Sequence, residues 1–228
     1  MKNVDVIIPV YNEEGSIGLV IGDIPKEIVN EVVVVNNLST DNSVEVAKQA
    51  GATVVDQDKR GYGNACLKGI EYVDAKAVKP YILVFLDGDY SDHPEELPAL
   101  LKPIIEDDYD LVIGSRTTGK QEKGAMLPQA VFGNFLATSL IRLFYGFTFT
   151  DLGPFRVIKY ESLKSLEMQD TTFGWTVEMQ VKALKKGLKC TEVPVSYRKR
   201  IGVSKITGTL TGTVKAGYKI IWTIFKYL

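Results

Sequence analysis

The chain is poor in the residues that build metal cages and covalent staples: 228 residues contain one histidine, His93, and two cysteines, Cys66 and Cys190. One histidine with no short cysteine spacing cannot assemble a zinc site, and two isolated thiols read as small packed residues of a reducing compartment. Net charge is also scarce, at −1, so no overall field recruits nucleic acid. No apolar run reaches the length of a bilayer span, and the start, MKNVDVIIPVYNEEG, is too polar after Pro9 for a secretory signal. Linkers, repeats and low-complexity stretches are missing too, which predicts one domain over residues 1–228. The expectation is a cytoplasmic protein that is soluble or peripherally bound to the inner face of the plasma membrane.

What is present is an ordinary globular balance, 45% hydrophobic and 24% charged. Short β-branched runs, VDVIIPV, EVVVVNN, ATVVDQD, YILVFLD and DLVIGS, alternate with helical stretches such as 39–51 and 93–108. Continuous rather than alternating hydrophobicity suggests strands covered on both faces, and the βαβα alternation predicts a doubly wound sheet through about residue 115. The second half predicts an aromatic-rich helix over 127–149, a helix over 173–187 and a strand over 188–198.

In YILVFLDGDYSDHP (81–94) an apolar run ends in three aspartates. Ligands of open parallel sheets sit beyond the carboxyl ends of strands, and strand alternation would aim Asp87 and Asp89 to one side. Two such carboxylates repel unless a cation lies between them, and a hard divalent ion accepts one or two carboxylates plus phosphate oxygens. The plainer alternative is that Asp87, Asp89 and Asp92 only cap a loop. In KRGYGNACLKG (59–69), Gly61 and Gly63 precede a helix whose free N–H groups favour an anion. The full dinucleotide pattern of glycines is missing there and after the first strand, which argues against a dinucleotide-dependent oxidoreductase.

Together these segments resemble glycosyltransferase family 2, the inverting enzymes of GT-A fold: VIIPVYNEE (6–14), VVNNLSTDNS (34–43), RGYGNA (60–65) and LDGDYSDHPEEL (86–97) carry the likeness. The later segments IGSR (113–116), TDLGPFRVIKYESL (150–163), FGWTVEMQVKALKKG and EVPVSYRKRIGVSKITGT (192–209) look like its polyprenyl-phosphate (dolichol-phosphate) mannose and glucose synthase branch. The resemblance implies an α/β, Rossmann-like single domain with a mostly parallel sheet flanked by helices. Residues 1–115 would form the nucleotide-sugar and metal half, and 116–228 the acceptor half. It implies a UDP- or GDP-hexose donor and Mg2+ or Mn2+ as cofactor. Pro9, Tyr11 and Glu13 would line the nucleotide, Asn36 would meet the base, and Arg60, Gly61 and Gly88 would complete the donor site. Asp87 and Asp89 would handle metal and sugar, and Arg200 and Lys205 would reach the diphosphate. The branch often has Gln where this chain has Ser91, and Asp where it has Asn36.

The acceptor stays open at this level. A sugar or glycan hydroxyl needs a general base, for which Glu178 and Asp151 are candidates. A polyprenyl phosphate, with a second pKa of about 6, needs cations instead, and Arg116, Arg142, Arg156, Arg198 and Arg200 can supply them. A lipid acceptor also predicts membrane-facing helices, which the aromatic stretch after residue 127 and the lysine-bearing 211–228 suit. A non-catalytic nucleotide-binding or membrane scaffold is the remaining class.

Overall fold

The structure, a computed structural model, describes residues 3–202 and 210–228. Its strands are β1 (Val4–Val10), β2 (Glu31–Asn36), β3 (Thr53–Asp56), β4 (Ile82–Phe85), β5 (Leu111–Ser115), β6 (Arg156–Lys159) and β7 (Cys190–Pro194). They form one seven-stranded sheet in the order β3-β2-β1-β4-β6-β5-β7. Every pairing is parallel except those of β6, which runs antiparallel to both β4 and β5.

The continuous apolar runs do lie buried on both faces. Val6, Ile8, Val34 and Val84 face α1 (Ile17–Asp23), α2 (Ser43–Gln49) and α4 (Leu97–Glu106). Ile7, Val33, Val35 and Phe85 alternate with them and face the other layer. That layer holds α3 (Tyr62–Ala75), α5 (Pro128–Tyr145), α6 (Tyr160–Leu166), α7 (Trp175–Lys185) and α8 (Leu210–Lys226). Helix α5 stops where Gly146 takes a left-handed φ of 72° and returns its N–H to the Arg142 carbonyl, a conformation glycine adopts without strain.

Strand β6 and helix α6 had no counterpart in the sequence reading. Four residues beginning with an arginine carry too little apolar pattern to stand out, yet β6 fills the place between β4 and β5. Its register sets Arg156 beside Phe85 at the end of β4. The carboxyl ends of β1 to β5 thus share one edge, and the chain leaving β7 returns to it.

Phe85 and Trp175 are wholly buried and meet edge to face, with centroids 4.6 Å apart. Phe85→Ala is expected to destabilise the fold by about 3–5 kcal/mol in urea unfolding. Phe135→Ala, on the exposed face of α5, should stay within about 0.5 kcal/mol of the parent.

Candidate functional site

The turns after β1 and β2 lock together before any ligand is considered. Asn12 sits at φ 53°; its amide N–H donates to Ser39 Oγ, and its side-chain oxygen accepts from the Thr40 N–H. The Glu13 N–H donates to Ser43 Oγ at 2.7 Å, and Asn42 N–H to the Glu14 carboxylate. Pro9 is the last residue but one of β1, and the Arg60 guanidinium lies 3.5 Å over the Tyr11 ring. Asn36 donates to Asp56 and accepts from the Ser39 N–H, and it lines an open cleft of about 640 Å³ with Gln57, Lys59 and Asn64. These two bonds fix the orientation of its amide and leave one N–H and one lone pair toward the cleft.

The acidic segment is a turn rather than a strand extension. Strand β4 ends at Phe85, and Tyr90 adopts φ 63°, so strand alternation does not set the aim of Asp87 and Asp89, and that expectation is corrected. Asp89 is held by its neighbours: Oδ1 accepts from the Ser91 N–H and Oγ–H, and Oδ2 lies 3.0 Å from Arg200 Nη1. Ser91, where the resemblance led one to expect Gln, orients Asp89. Gly88 between the acids packs on Val10 and Ile8. Asp87 Oδ1 is buried with no hydrogen-bond partner among the described residues. Burial, then the adjacent Asp89 carboxylate, pushes Asp87 up to about 7. Both oxygens of Asp92 are likewise buried and unpartnered, and burial drives its pKa well above the carboxylate range, so Asp92 caps nothing. An orphaned, partly neutralised carboxylate beside a second one suits a hard cation that takes most of its oxygens from substrate and water. Among the described residues no group of three His, Cys, Asp or Glu side chains forms a closed metal cage.

A strap from residues 197–201 closes over this turn. The Arg198 N–H donates to the Ser91 carbonyl and the Ile201 N–H to the Asp89 carbonyl, each at 2.9 Å. The Arg198 guanidinium stacks 3.4 Å over Tyr90 and donates to the Tyr90 and Asp92 carbonyls. This holds Arg200 between Asp89 and Glu13, the latter at 3.1 Å. Lys205 lies outside the described residues.

Several expected site residues turn out to be fasteners. Arg156 is wholly buried and donates to the carbonyls of Leu152, Gly153 and Thr176; burial brings its pKa down to about 10. It shapes the loop before β6 and has no face left for a substrate. Glu178 is also wholly buried; it accepts from the Gln169 and Asp170 N–H groups and the Tyr227 hydroxyl, and pairs with Lys182 at 2.7 Å. A carboxylate so saturated cannot take a proton from an acceptor, and the general-base expectation fails. Asp151 is the fixed end of a two-pronged bond: Arg116 Nε and Nη2 reach its two oxygens at 2.8 and 2.7 Å, and the Arg116 N–H adds a third contact. Asp151 positions Arg116 against Tyr197, 5.0 Å from the ring centroid.

The glycines are corrected as well. The N–H groups of Gly61, Gly63 and Asn64 already donate to Asn37 Oδ1, the Thr172 carbonyl and the Thr171 carbonyl. A Cβ on Gly61 would lie 2.2 Å from the Thr171 oxygen, and one on Gly63 2.0 Å from the Asp170 oxygen. These glycines permit a backbone crossing rather than an anion cradle. Sequence reasoning missed the groups that fix this frame: Asn37, Asp170, and Glu192, which accepts from the Thr150 and Asp151 N–H groups. Only their polarity inside apolar surroundings signalled them.

The profile described as glycosyl transferase family 2 matches residues 5–166. The chain is 34% identical over 206 residues to a dolichyl-phosphate hexose transferase of Haloferax volcanii, covering 88% of this chain and 85% of that protein. It is 35% identical over 197 residues to the glycosyltransferase AglJ of the same organism, covering 86% of this chain and 63% of AglJ. Among solved structures, glucosyl-3-phosphoglycerate synthase of Mycobacterium tuberculosis, in complex with Mn2+, UDP-glucose and phosphoglyceric acid, shares the fold. The TM-score is 0.79 at 22% identity, over 99% of this chain and 79% of that one.

Gly63→Ala tests the reassigned crossing. Overpacking of roughly 1–3 kcal/mol should appear as a lowered melting temperature with or without nucleotide, whereas loss of an anion cradle would lower nucleotide affinity and leave the free protein's melting unchanged.

Proposed function

The chain belongs to glycosyl transferase family 2, and from that membership we propose that it moves a hexose from a UDP- or GDP-sugar to a polyprenyl phosphate. The transfer inverts the anomeric carbon, and Asp87 and Asp89 hold the divalent cation, Mg2+ or Mn2+. The observation that carries the acceptor reading is the state of the two candidate bases. Glu178 and Asp151 are each buried and bonded to protein groups, so neither is available to activate a hydroxyl. A phosphate monoester is already ionised at neutral pH. The dolichyl-phosphate hexose transferase relative supports the same acceptor class, and Mn2+ with UDP-glucose in the related crystals supports the donor side.

The acceptor oxygen attacks the anomeric carbon as the bond to the diphosphate breaks, and the electron pair leaves with the diphosphate. Bound at Asp87 and Asp89, the cation would neutralise charge on that leaving group. Arg200, set between Glu13 and Asp89, is the cation that the described residues place on this point. Removing one such electrostatic partner commonly costs several kcal/mol of transition-state stabilisation. Lys205, which lies outside the described residues, joins it by resemblance. Arg116, fixed by Asp151, is the cation offered to the acceptor phosphate.

Radiolabelled UDP- and GDP-hexoses, incubated with polyprenyl phosphate or soluble glycans, test the assignment. Label should enter the lipid fraction only with Mg2+ or Mn2+, and Asp89→Asn should lower the rate about 10²-fold or more. Transfer to soluble hydroxyls with polyprenyl phosphate untouched would overturn it.

A second measurement concerns Asp87, which keeps its proton up to about pH 7 in the cation-free protein. Because cation binding expels that proton, Mn2+ affinity by calorimetry should fall about tenfold per pH unit below 7 and level off above it. The same raised value means the folded state binds more protons than the unfolded chain, whose carboxyl titrates near 3.8. This group's contribution to stability is therefore lost as pH rises through 7, and Asp87→Asn should raise the cation-free melting temperature at pH 8.

A further inference from the structure

The chain's near-zero net charge conceals a segregation. Residues 193–228 contain seven lysines and arginines and no acidic residue, leaving 20 basic against 28 acidic residues in the remainder. Helix α8 lies in this acid-free stretch, and α5, against which it packs, contains no acid either. Phe144 and Phe225 meet edge to face at 5.3 Å, and the Tyr145 hydroxyl donates to the Ile224 carbonyl at 2.7 Å. The two helices are thus one joined surface.

That surface is apolar where it should be polar. On α5, Phe132 and Phe135 are each 67% exposed and Leu143 is 72% exposed; on α8, Tyr218 is 71% exposed, with Trp222 and Phe225 also open. The exposed α5 residues follow helical spacing, as do those of α8, so each helix has turned a second stripe outward while Ala137, Ile141 and Ile224 fill the core. Soluble surfaces rarely gather so many large side chains without a use for them. Lysines border the aromatic patch: Lys219 and Lys226 lie 4.6 and 5.3 Å from the Trp222 ring centroid, and Lys215 is exposed one turn before Lys219. Lys219 also pairs with Asp170 at 2.8 Å, tying α8 to the loop that crosses the Gly61–Gly63 turn.

We infer that α5 and α8 together form a docking surface for an anionic lipid leaflet, with Phe132, Phe135, Tyr218 and Trp222 entering the headgroup region and Lys215 and Lys226 meeting its negative charge. An aromatic face with a cationic border is what a bilayer interface selects, because rings settle at the headgroup level and long lysine stems reach back toward water. A face covered by a second copy of this chain would bring the same lysines together across the interface, where like charges oppose association. No helix among the described residues is long and apolar enough to cross a membrane, so the contact is a surface one. The inference rests on the lipid-acceptor reading only for its purpose, since docking would bring the strap and Arg116 to where a lipid phosphate resides.

The test reads binding without donor or acceptor. The full chain is floated with vesicles of phosphatidylcholine alone and with vesicles half phosphatidylglycerol, at low and high salt. Flotation with the anionic vesicles, weakened by salt, is expected. Phe132→Ser with Phe135→Ser, and Tyr218→Ser with Trp222→Ser, should each lower partitioning more than tenfold. Lys215→Ala and Lys226→Ala should cost roughly fivefold apiece. Val78→Ser, at an exposed apolar residue outside both helices, should change nothing, and circular dichroism melts confirm that every variant folds. Brominated lipid should quench Trp222 but not the wholly buried Trp175, and Trp222→Phe should remove the quenching. The inference is overturned by failure to float with anionic vesicles, by flotation indifferent to these substitutions, or by a dimer in sedimentation that the same substitutions dissociate. A protein that glycosylates detergent-solubilised polyprenyl phosphate yet does not float loses the docking surface and keeps the transfer reaction.

Discussion

Two carboxylates buried next to one another repel, and a protein that keeps them there must supply positive charge or leave one of them protonated. The site uses both remedies. Arg200 sits on Asp89, while Asp87, with an oxygen that no described protein group satisfies, holds its proton to about pH 7. Asp92, a few residues on, is buried with neither oxygen bonded among the described residues. Three acids under this constraint explain the surrounding architecture: a strap hydrogen-bonded along the acidic turn, a serine dedicated to orienting Asp89, and two arginines, Arg198 and Arg200, delivered from one short segment.

Around that centre, charge is used for fastening more than for chemistry. Glu178, Glu192 and Asp170 each accept main-chain N–H groups of a loop, and Arg156 donates to main-chain carbonyls. Buried polar groups must be matched, and a charged side chain that takes several backbone partners fixes a loop more firmly than a neutral one. Asp151 belongs to the same set, since it holds Arg116 through two prongs. With Glu178 and Asp151 both taken up by protein groups, neither candidate base is left for a hydroxyl, and this is why the proposed acceptor is one that is already an anion.

Six of the seven strands were legible, β1, β2, β4 and β5 because burial on both faces writes them as nearly unbroken apolar runs, and the half-buried β3 and β7 by their short β-branched stretches. Strand β6 was not, because its four residues open on Arg156, whose charge is satisfied by carbonyls that only the folded chain brings near. The family was readable because several motifs occur together along the chain, and that joint pattern separated the acidic turn from an ordinary capped loop. The aim of those aspartates was not, because the chain leaves β4 at Phe85 and turns before it reaches them. Gly61 and Gly63 show a deeper ambiguity. A phosphate and a crossing carbonyl both demand the absence of a Cβ, and sequence alone gives them the same spelling.

The acid-free stretch from residue 193 onward joins these observations. It begins as the strap that places Arg198 and Arg200 on the acidic turn and ends as α8, whose lysines border an exposed aromatic face. One segment thus supplies the cation that now neutralises Asp89 and the cations of the outer surface. Under the proposed reaction, Asp87 and Asp89 would hold the cation that neutralises the leaving diphosphate, and Arg200 on Asp89 would lie within reach of its oxygens. The guanidinium can then exchange a carboxylate for a phosphate, a partner its fork of donors fits as well.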